Sequence, residues 1–148
     1  MVYVGLILAI LLYGAETWCL TEKLYKRLRN FHARCIRAMC RVNRRHTFEH
    51  RISSAELRRR VGVLSIDTYI TRHQLRWAGH VARMPAHRLP RKMLTSWVRA
   101  KRPRGAPQLT YGRMLRKSMK KLGIDPHTWS VMAQDRDKWR DTFMKLFD

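Results

Sequence analysis

Apolar residues recur at intervals of three and four along almost the whole chain, and no stretch alternates convincingly at period two. That pattern predicts helices rather than strands. It is cleanest at Leu24, Leu28, Phe31, Cys35, Met39 and Val42, which stay on one helical face, with Thr21 as the expected N-cap. Lys23, Lys26, Arg27, Arg34, Arg37 and Arg41 cover much of the other side, giving an amphipathic helix with a cationic exterior. Arg41 to Arg51 reads as a basic connector. Ser53 followed by Glu56 has the form of a capping box, opening a short helix that Gly62 ends.

Ser65 is placed to cap a longer helix that runs to about Arg83 and stops before Pro85. Ile66, Ile70, Trp77, Val81 and Met84 fall on one side of it. Tyr69, Arg72, His73, Arg76, His80 and Arg83 form an adjoining stripe about a quarter-turn away. A packed face beside a basic, partly aromatic one is what a helix lying along a nucleic-acid backbone needs. Trp77 reads as core rather than as a base-stacking platform, and Leu75, outside both stripes, as a contact to another helix. For Arg72, Arg76 and Arg83, phosphate contact and plain solvation are equally open.

Farther on, Pro90 suits the first turn of a helix through Trp97 and Val98. Lys101–Pro107, with two prolines and a glycine, is a loop. Tyr111, Leu115, Met119 and Leu122 mark another helix, closed by Gly123. Asp125 and Pro126 start the Trp129 segment, and Asp135 caps a last helix bearing Trp139, Phe143, Leu146 and Phe147. The expected fold is all-α, an irregular bundle of about seven helices with a basic Pro/Gly loop at about 100–108, and no internal repeat.

The apolar opening, Val2 to Tyr13, lacks the basic leading region of a signal peptide and is shorter than the roughly 20 apolar residues of a spanning helix. No membrane partner is expected. It reads as a buried helix wanting cover on all sides, so the chain is expected to be a fragment with protein missing upstream.

Charge sharpens this outline. Between Lys23 and Lys121 stand 28 Lys or Arg against only Glu49, Glu56 and Asp67, and the 148 residues carry a net +22. Self-repulsion of that size opposes compaction unless the charge meets a polyanion, and nucleic acid releases counterions when its phosphates are neutralised. Arginine outnumbers lysine 23 to nine, which suits bidentate phosphate contact and stacking on bases. Within the loop, Lys101, Arg102 and Arg104 can lie along a backbone and order on contact; such runs also serve as nuclear-import signals or linkers. Five Trp, five Tyr and four Phe are enough to fill a core.

The candidate nucleic-acid contacts are therefore Arg34, Arg37, Arg41, Arg72, His73, Arg76, His80, Arg83, Lys101, Arg102 and Arg104. Cys35, Cys40, His46 and His50 follow C-x4-C-x5-H-x3-H, and a Cys2His2 finger needs far more chain between its ligand pairs. No metal or other cofactor is expected. Three cysteines (Cys19, Cys35, Cys40) form no disulfide framework and fit a reducing intracellular compartment. Neither a close pair of acids in a strand–turn setting, nor a Gly-rich phosphate loop, nor a nucleophile elbow is present, so no active site is read.

Three stretches read together carry a resemblance. They are Leu11–Trp18 (LLYGAETW), Arg76–Pro85 (RWAGHVARMP) and Gly123–Arg140 (GIDPHTWSVMAQDRDKWR), with a basic R-G-x-P loop, Arg104, Gly105 and Pro107, between the last two. In this order they resemble the C-terminal region of LINE-type (non-LTR) retrotransposon reverse transcriptases, over almost the whole chain from Leu11. RWAGHVARMP is the most specific piece.

The resemblance implies that residues 1–20 are the truncated end of the polymerase thumb and 21–148 a basic helical extension thought to hold template RNA or target DNA. Leu12, Tyr13, Gly14, Glu16 and Trp18 match a thumb-end motif that packs on the polymerase body. Arg76, Trp77, Gly79, His80 and Met84 match the extension's signature helix, and Asp135, Arg136 and Trp139 its closing D-R-x-x-W. Ala106 and Tyr111 depart from the family's R-G-R-P loop and the Trp near its end. The polymerase's paired aspartates are absent from this chain. The expectation is a non-catalytic nucleic-acid-binding fragment, intracellular and nuclear, whose partners are an RNA or DNA backbone and the missing polymerase domain. The alternative is a helical protein–protein interaction module with a solubilising basic face.

Overall fold

A computed structural model of the chain describes residues 2–95, 105 and 110–145. Among them the fold is all-α, with nine α-helices, a π-helical stretch, one 3-10 turn and no strand. No helix of the described residues is long and apolar enough to cross a membrane. The chain divides into two compact units, Met1–Tyr13 with Leu20–Ile70, and Gly14–Cys19 with Thr71–Asp148.

In the first unit the apolar opening forms a π-helical stretch, Tyr3–Leu8, running into α1, Ala9–Leu11. Tyr3, Leu8 and Leu12 are buried, while Val2, Leu6, Ile10 and Tyr13 face outward, Tyr13 with 88% of its surface exposed. The segment is helical as expected, but it is covered on one face only.

Helix α2, Glu22–Met39, begins after Thr21, whose side chain makes no capping bond. It buries His32 and Ile36 and leaves Leu24 and Phe31 exposed. The buried line is thus shifted from the apolar stripe, and the reason is polar. The His32 Nε2 and the Leu64 carbonyl are 2.8 Å apart, as are Nδ1 and the Tyr3 hydroxyl. A carbonyl only accepts, so Nε2 carries the proton and Nδ1 accepts from Tyr3. With both ring nitrogens satisfied, burial costs the imidazole little.

The basic connector contains a helix, α3, Arg44–Glu49. The Asn43 side chain caps it by accepting from the His46 amide at 2.6 Å, and Arg45 pairs with Glu49 at 2.7 Å. Helix α4, Ser54–Arg60, starts as expected, with Ser53 accepting from the Glu56 amide at 3.1 Å. The Glu56 carboxylate takes Arg59 and Arg60 at 2.8 and 3.1 Å.

Gly62 closes α4 in the left-handed region, φ 60°, with the Val63 amide donating to the Arg58 carbonyl. Arg41 and Arg51 hold the same position after α2 and α3, at φ 54° and 49°. There the Val42 and Ile52 amides donate to the Arg37 and Thr47 carbonyls. An L-residue with a side chain is strained in that conformation.

Helix α5, Ile66–Ala82, gives its first residues to this unit and Thr71 onward to the second. The second unit adds α6 (Leu89–Thr95), α7 (Tyr111–Lys121), α8 (Trp129–Met132) and α9 (Arg136–Met144). Leu75, Ala78, Ala82, Leu115, Met119, Ile124, Ala133, Trp139 and Phe143 form its core, against which Tyr111 and Trp129 pack. Leu75 is fully buried, as its place outside both stripes of α5 indicated. Burial pushes the Tyr111 hydroxyl up to about 12. Gln74, buried in the same unit, accepts from the Ser118 hydroxyl at 3.0 Å and donates to the Trp18 carbonyl at 3.2 Å.

Gly123 (φ 66°) ends α7, and Asp135 caps α9 by accepting from the Asp137 and Lys138 amides at 3.1 Å. Asp125 spends its carboxylate on the His127 amide and the Thr128 hydroxyl, which delays the start of α8 to Trp129. Trp97, Val98, Leu146 and Phe147 lie outside the described residues, as does the loop at 100–108 apart from Gly105, φ 78°. Of the helices among the described residues, α3 is the one that was not expected, a six-residue helix in the run read as a connector.

Candidate nucleic-acid interface

The site in the second unit starts from one helix contact. The Trp139 indole of α9 lies across Gly79 of α5 and donates from Nε1 to the Leu75 carbonyl at 2.9 Å. Residue 79 is four on from Leu75, so any side chain there would cover that carbonyl. A β-carbon built at Gly79 falls on the indole itself. Helix α5 is held further at its C-terminal end. Arg83 Nη1 donates to the Ala133 carbonyl at 2.6 Å, and Gln134 Nε2 to the Ala82 carbonyl at 3.0 Å.

Along this seam runs a cleft of about 880 Å³. Its α5 wall carries Arg72, His73, Arg76, His80 and Arg83, the whole set of contacts expected from that helix. Periodicity alone puts them together, since Arg76, His80 and Arg83 follow at helical spacing from His73. Trp77 lines the cleft too, half-buried, with its ring 5.5 Å from that of His80. It therefore borders the groove where the sequence placed it in the packed face.

The opposite wall comes from α9, with Arg136, Arg140, Phe143 and Met144. Sequence reasoning did not place Arg136 or Arg140 at the site. The signal was present in the closing D-R-x-x-W-R run, where the two arginines stand four apart on the helix that Trp139 anchors.

Five arginines line the cleft against one carboxylate, Glu16. Glu16 Oε2 lies 3.9 Å from His73 Nδ1. Burial lowers the His73 pKa, with Arg72 and Arg76 adding to the effect and Glu16 opposing it. Arg140 is drawn to Asp137 and Asp141, at 3.4 and 3.7 Å. Arg76 and Arg136 have no carboxylate partner among the described residues. The two facing helices of the cleft thus bring these cations to one groove.

The remaining expected contacts lie elsewhere. Arg34, Arg37 and Arg41 are on α2 and its cap in the first unit, Arg34 and Arg41 exposed and Arg37 half-buried. Lys101, Arg102 and Arg104 lie outside the described residues. His46 and His50 stack at 4.0 Å, and among the described residues no three His, Cys, Asp or Glu converge as metal ligands.

The chain is similar to a Caenorhabditis elegans protein described as transposon-derived and uncharacterized, at 28% identity over 140 residues. The match covers 91% of this chain and half the length of that protein. No family model matches the sequence. No solved structure matches it.

Proposed function

We propose that this chain is a transposon-derived, helical nucleic-acid-binding segment, corresponding to the thumb end and basic extension of a LINE-type reverse transcriptase. The observation that carries the reading is the cleft between α5 and α9, where arginines face one another with little acid to neutralise them. A groove of that kind offers fixed cations to a sugar-phosphate strand and a half-buried aromatic ring, Trp77, to its bases. The similarity to a transposon-derived protein supports the origin, and the residue-level resemblance of RWAGHVARMP and the D-R-x-x-W run supports the finer assignment. These two motifs are the ones that meet at Gly79 and Trp139. The chain would act by electrostatic capture, without catalysis of its own, alongside the polymerase domain of a parent protein in the nucleus.

The test is fluorescence anisotropy of a labelled single strand against salt. If six to ten phosphates are engaged, affinity falls by about 10³–10⁵ between 50 and 200 mM salt. A flat salt response, or equal binding to a neutral polymer, rejects the mechanism.

The outward stripe of Val2, Leu6, Ile10 and Tyr13 favours a second reading, a protein-docking module whose basic face serves solubility. Light scattering with and without RNA separates the two. A stable oligomer indifferent to RNA supports the docking module.

A further inference from the structure

The cleft between α5 and α9 has an internal order that charge alone does not require. Along α5 its lining residues fall into two rows. Arg72, Arg76 and Arg83 share one face within about 40°, and His73, Trp77 and His80 share another within about 60°, roughly a quarter-turn away. Both rows are accessible. Arg76 and His80 are exposed, Arg72, Trp77 and Arg83 are half-buried, and 41% of the His73 side chain is exposed.

The arginine row lies beside Gly79, where the Trp139 indole of α9 rests. Arg136 and Arg140 stand on either side of Trp139 in α9, so arginines of both walls flank that contact. Arg83 gives Nη1 to the Ala133 carbonyl and keeps its other guanidinium donors. The ring row lies on the side of α5 away from Gly79. Its first member, His73, has the carboxylate of Glu16 3.9 Å away. A negative charge there opposes a phosphate and leaves that side to uncharged groups.

A nucleic-acid strand is divided in the same way, with phosphates along one side and bases along the other. We infer that the cleft takes an unpaired strand, its phosphates on the arginine row and its bases against His73, Trp77 and His80. The inference rests on the nucleic-acid reading above and narrows it to a strand without its complement. Spacing gives the reason. At about 1.5 Å per residue, the three rings follow one another by about 6 and 4.5 Å along α5. Bases in a duplex rise by only about 3.4 Å and keep their faces on each other. Bases freed from pairing and drawn apart can lay their faces on rings so placed.

The full chain is titrated in about 0.15 M salt with three labelled ligands. These are twelve-unit oligouridylate, its abasic ribose-phosphate counterpart, and a blunt RNA duplex of the same length. A site that meets phosphate alone binds the duplex at least as tightly as the strand, because the duplex carries the denser charge. The expected order is the reverse, with the base-bearing strand about tenfold tighter than either competitor, the effect of one stacked base. Trp77→Leu should narrow the preference over the abasic strand to within about twofold, and His80→Ala, at an exposed position, to about threefold. Equal binding of the base-bearing and abasic strands, or a duplex bound as tightly as the strand, overturns the inference and leaves the phosphate reading standing. A preference undiminished in both variants overturns it too. If none of the three ligands binds, the nucleic-acid reading fails and takes the inference with it.

A second measurement does not depend on how a variant folds. Ring-proton NMR signals of Trp77 and His80 are followed while oligouridylate, and separately the abasic strand, is added. Shifts several times larger with the base-bearing strand are expected of rings that meet bases. Shifts of equal size with both, or with neither, overturn the placement of bases on this row.

Discussion

Gly79→Ala is the sharpest perturbation this fold offers, because one methyl group sets two effects against each other. In an exposed helix the change would stabilise, since alanine is better than glycine in a helix interior by about 1 kcal/mol. Here the new carbon lands on the Trp139 indole, a side chain with only 2% of its surface exposed. Overpacking of a filled core costs about 1–3 kcal/mol. Displacing the ring also weakens the bond from Nε1 to the Leu75 carbonyl, worth roughly 0.5–1.5 kcal/mol. The balance is a net loss of about 1–3 kcal/mol, and each kcal/mol lowers Tm by about 2–4 °C in a chain of this length.

Urea unfolding followed by circular dichroism reads the loss. The control is the same change in a Trp139→Leu background, where the clash is gone and alanine should become neutral or stabilising. That reversal of sign is a coupling energy between residues 79 and 139. A Gly79→Ala protein as stable as the parent, or equal effects in both backgrounds, would refute the seating of the indole on the glycine.

Other expectations follow from the same geometry. Burial holds the His32 pKa below its ordinary 6.5, with nearby Arg58 adding to the effect and the Leu64 carbonyl opposing it. The unfolded chain therefore binds the proton more readily, so stability is full above about pH 6.5 and declines as pH falls toward the folded value. His32→Gln should flatten that slope in urea melts between pH 7.5 and 5. Arg41→Gly removes the left-handed strain at φ 54° and should raise stability by about 0.5–1 kcal/mol in a thermal melt. If Arg41 also meets phosphate, binding weakens in the same variant. Arg76→Ala should lower the salt dependence of strand binding by about one phosphate contact, with far-UV circular dichroism unchanged.

Much of the helical layout was legible because local chemistry sets it. Ser53, Asp135, Gly62 and Gly123 mark helix ends through bonds within a few residues, and each stands where the sequence put it. The α5 wall of the cleft was legible for the same reason, since one helical face orders it. Long-range partners were not. No local period shows that His32 meets Tyr3 and Leu64, so the buried line of α2 was drawn through Phe31 instead. Helix α3 depends on an asparagine cap inside a run too short and too basic to show an apolar face. The α9 wall needed Trp139 to be brought sixty residues back to Gly79, and a glycine in mid-helix was the one hint of that approach.

The double duty of α9 bears on how much of its C-terminal end the protein can lose. The helix that plugs the second core with Trp139 also supplies Arg136, Arg140 and Phe143 to the groove. A premature stop just before Asp135 would therefore bare Leu75 and Ala78 to water and strip one bank of the groove in a single event. A chain truncated by even a dozen or so residues at this end should lose the fold of the second unit outright rather than only part of the groove.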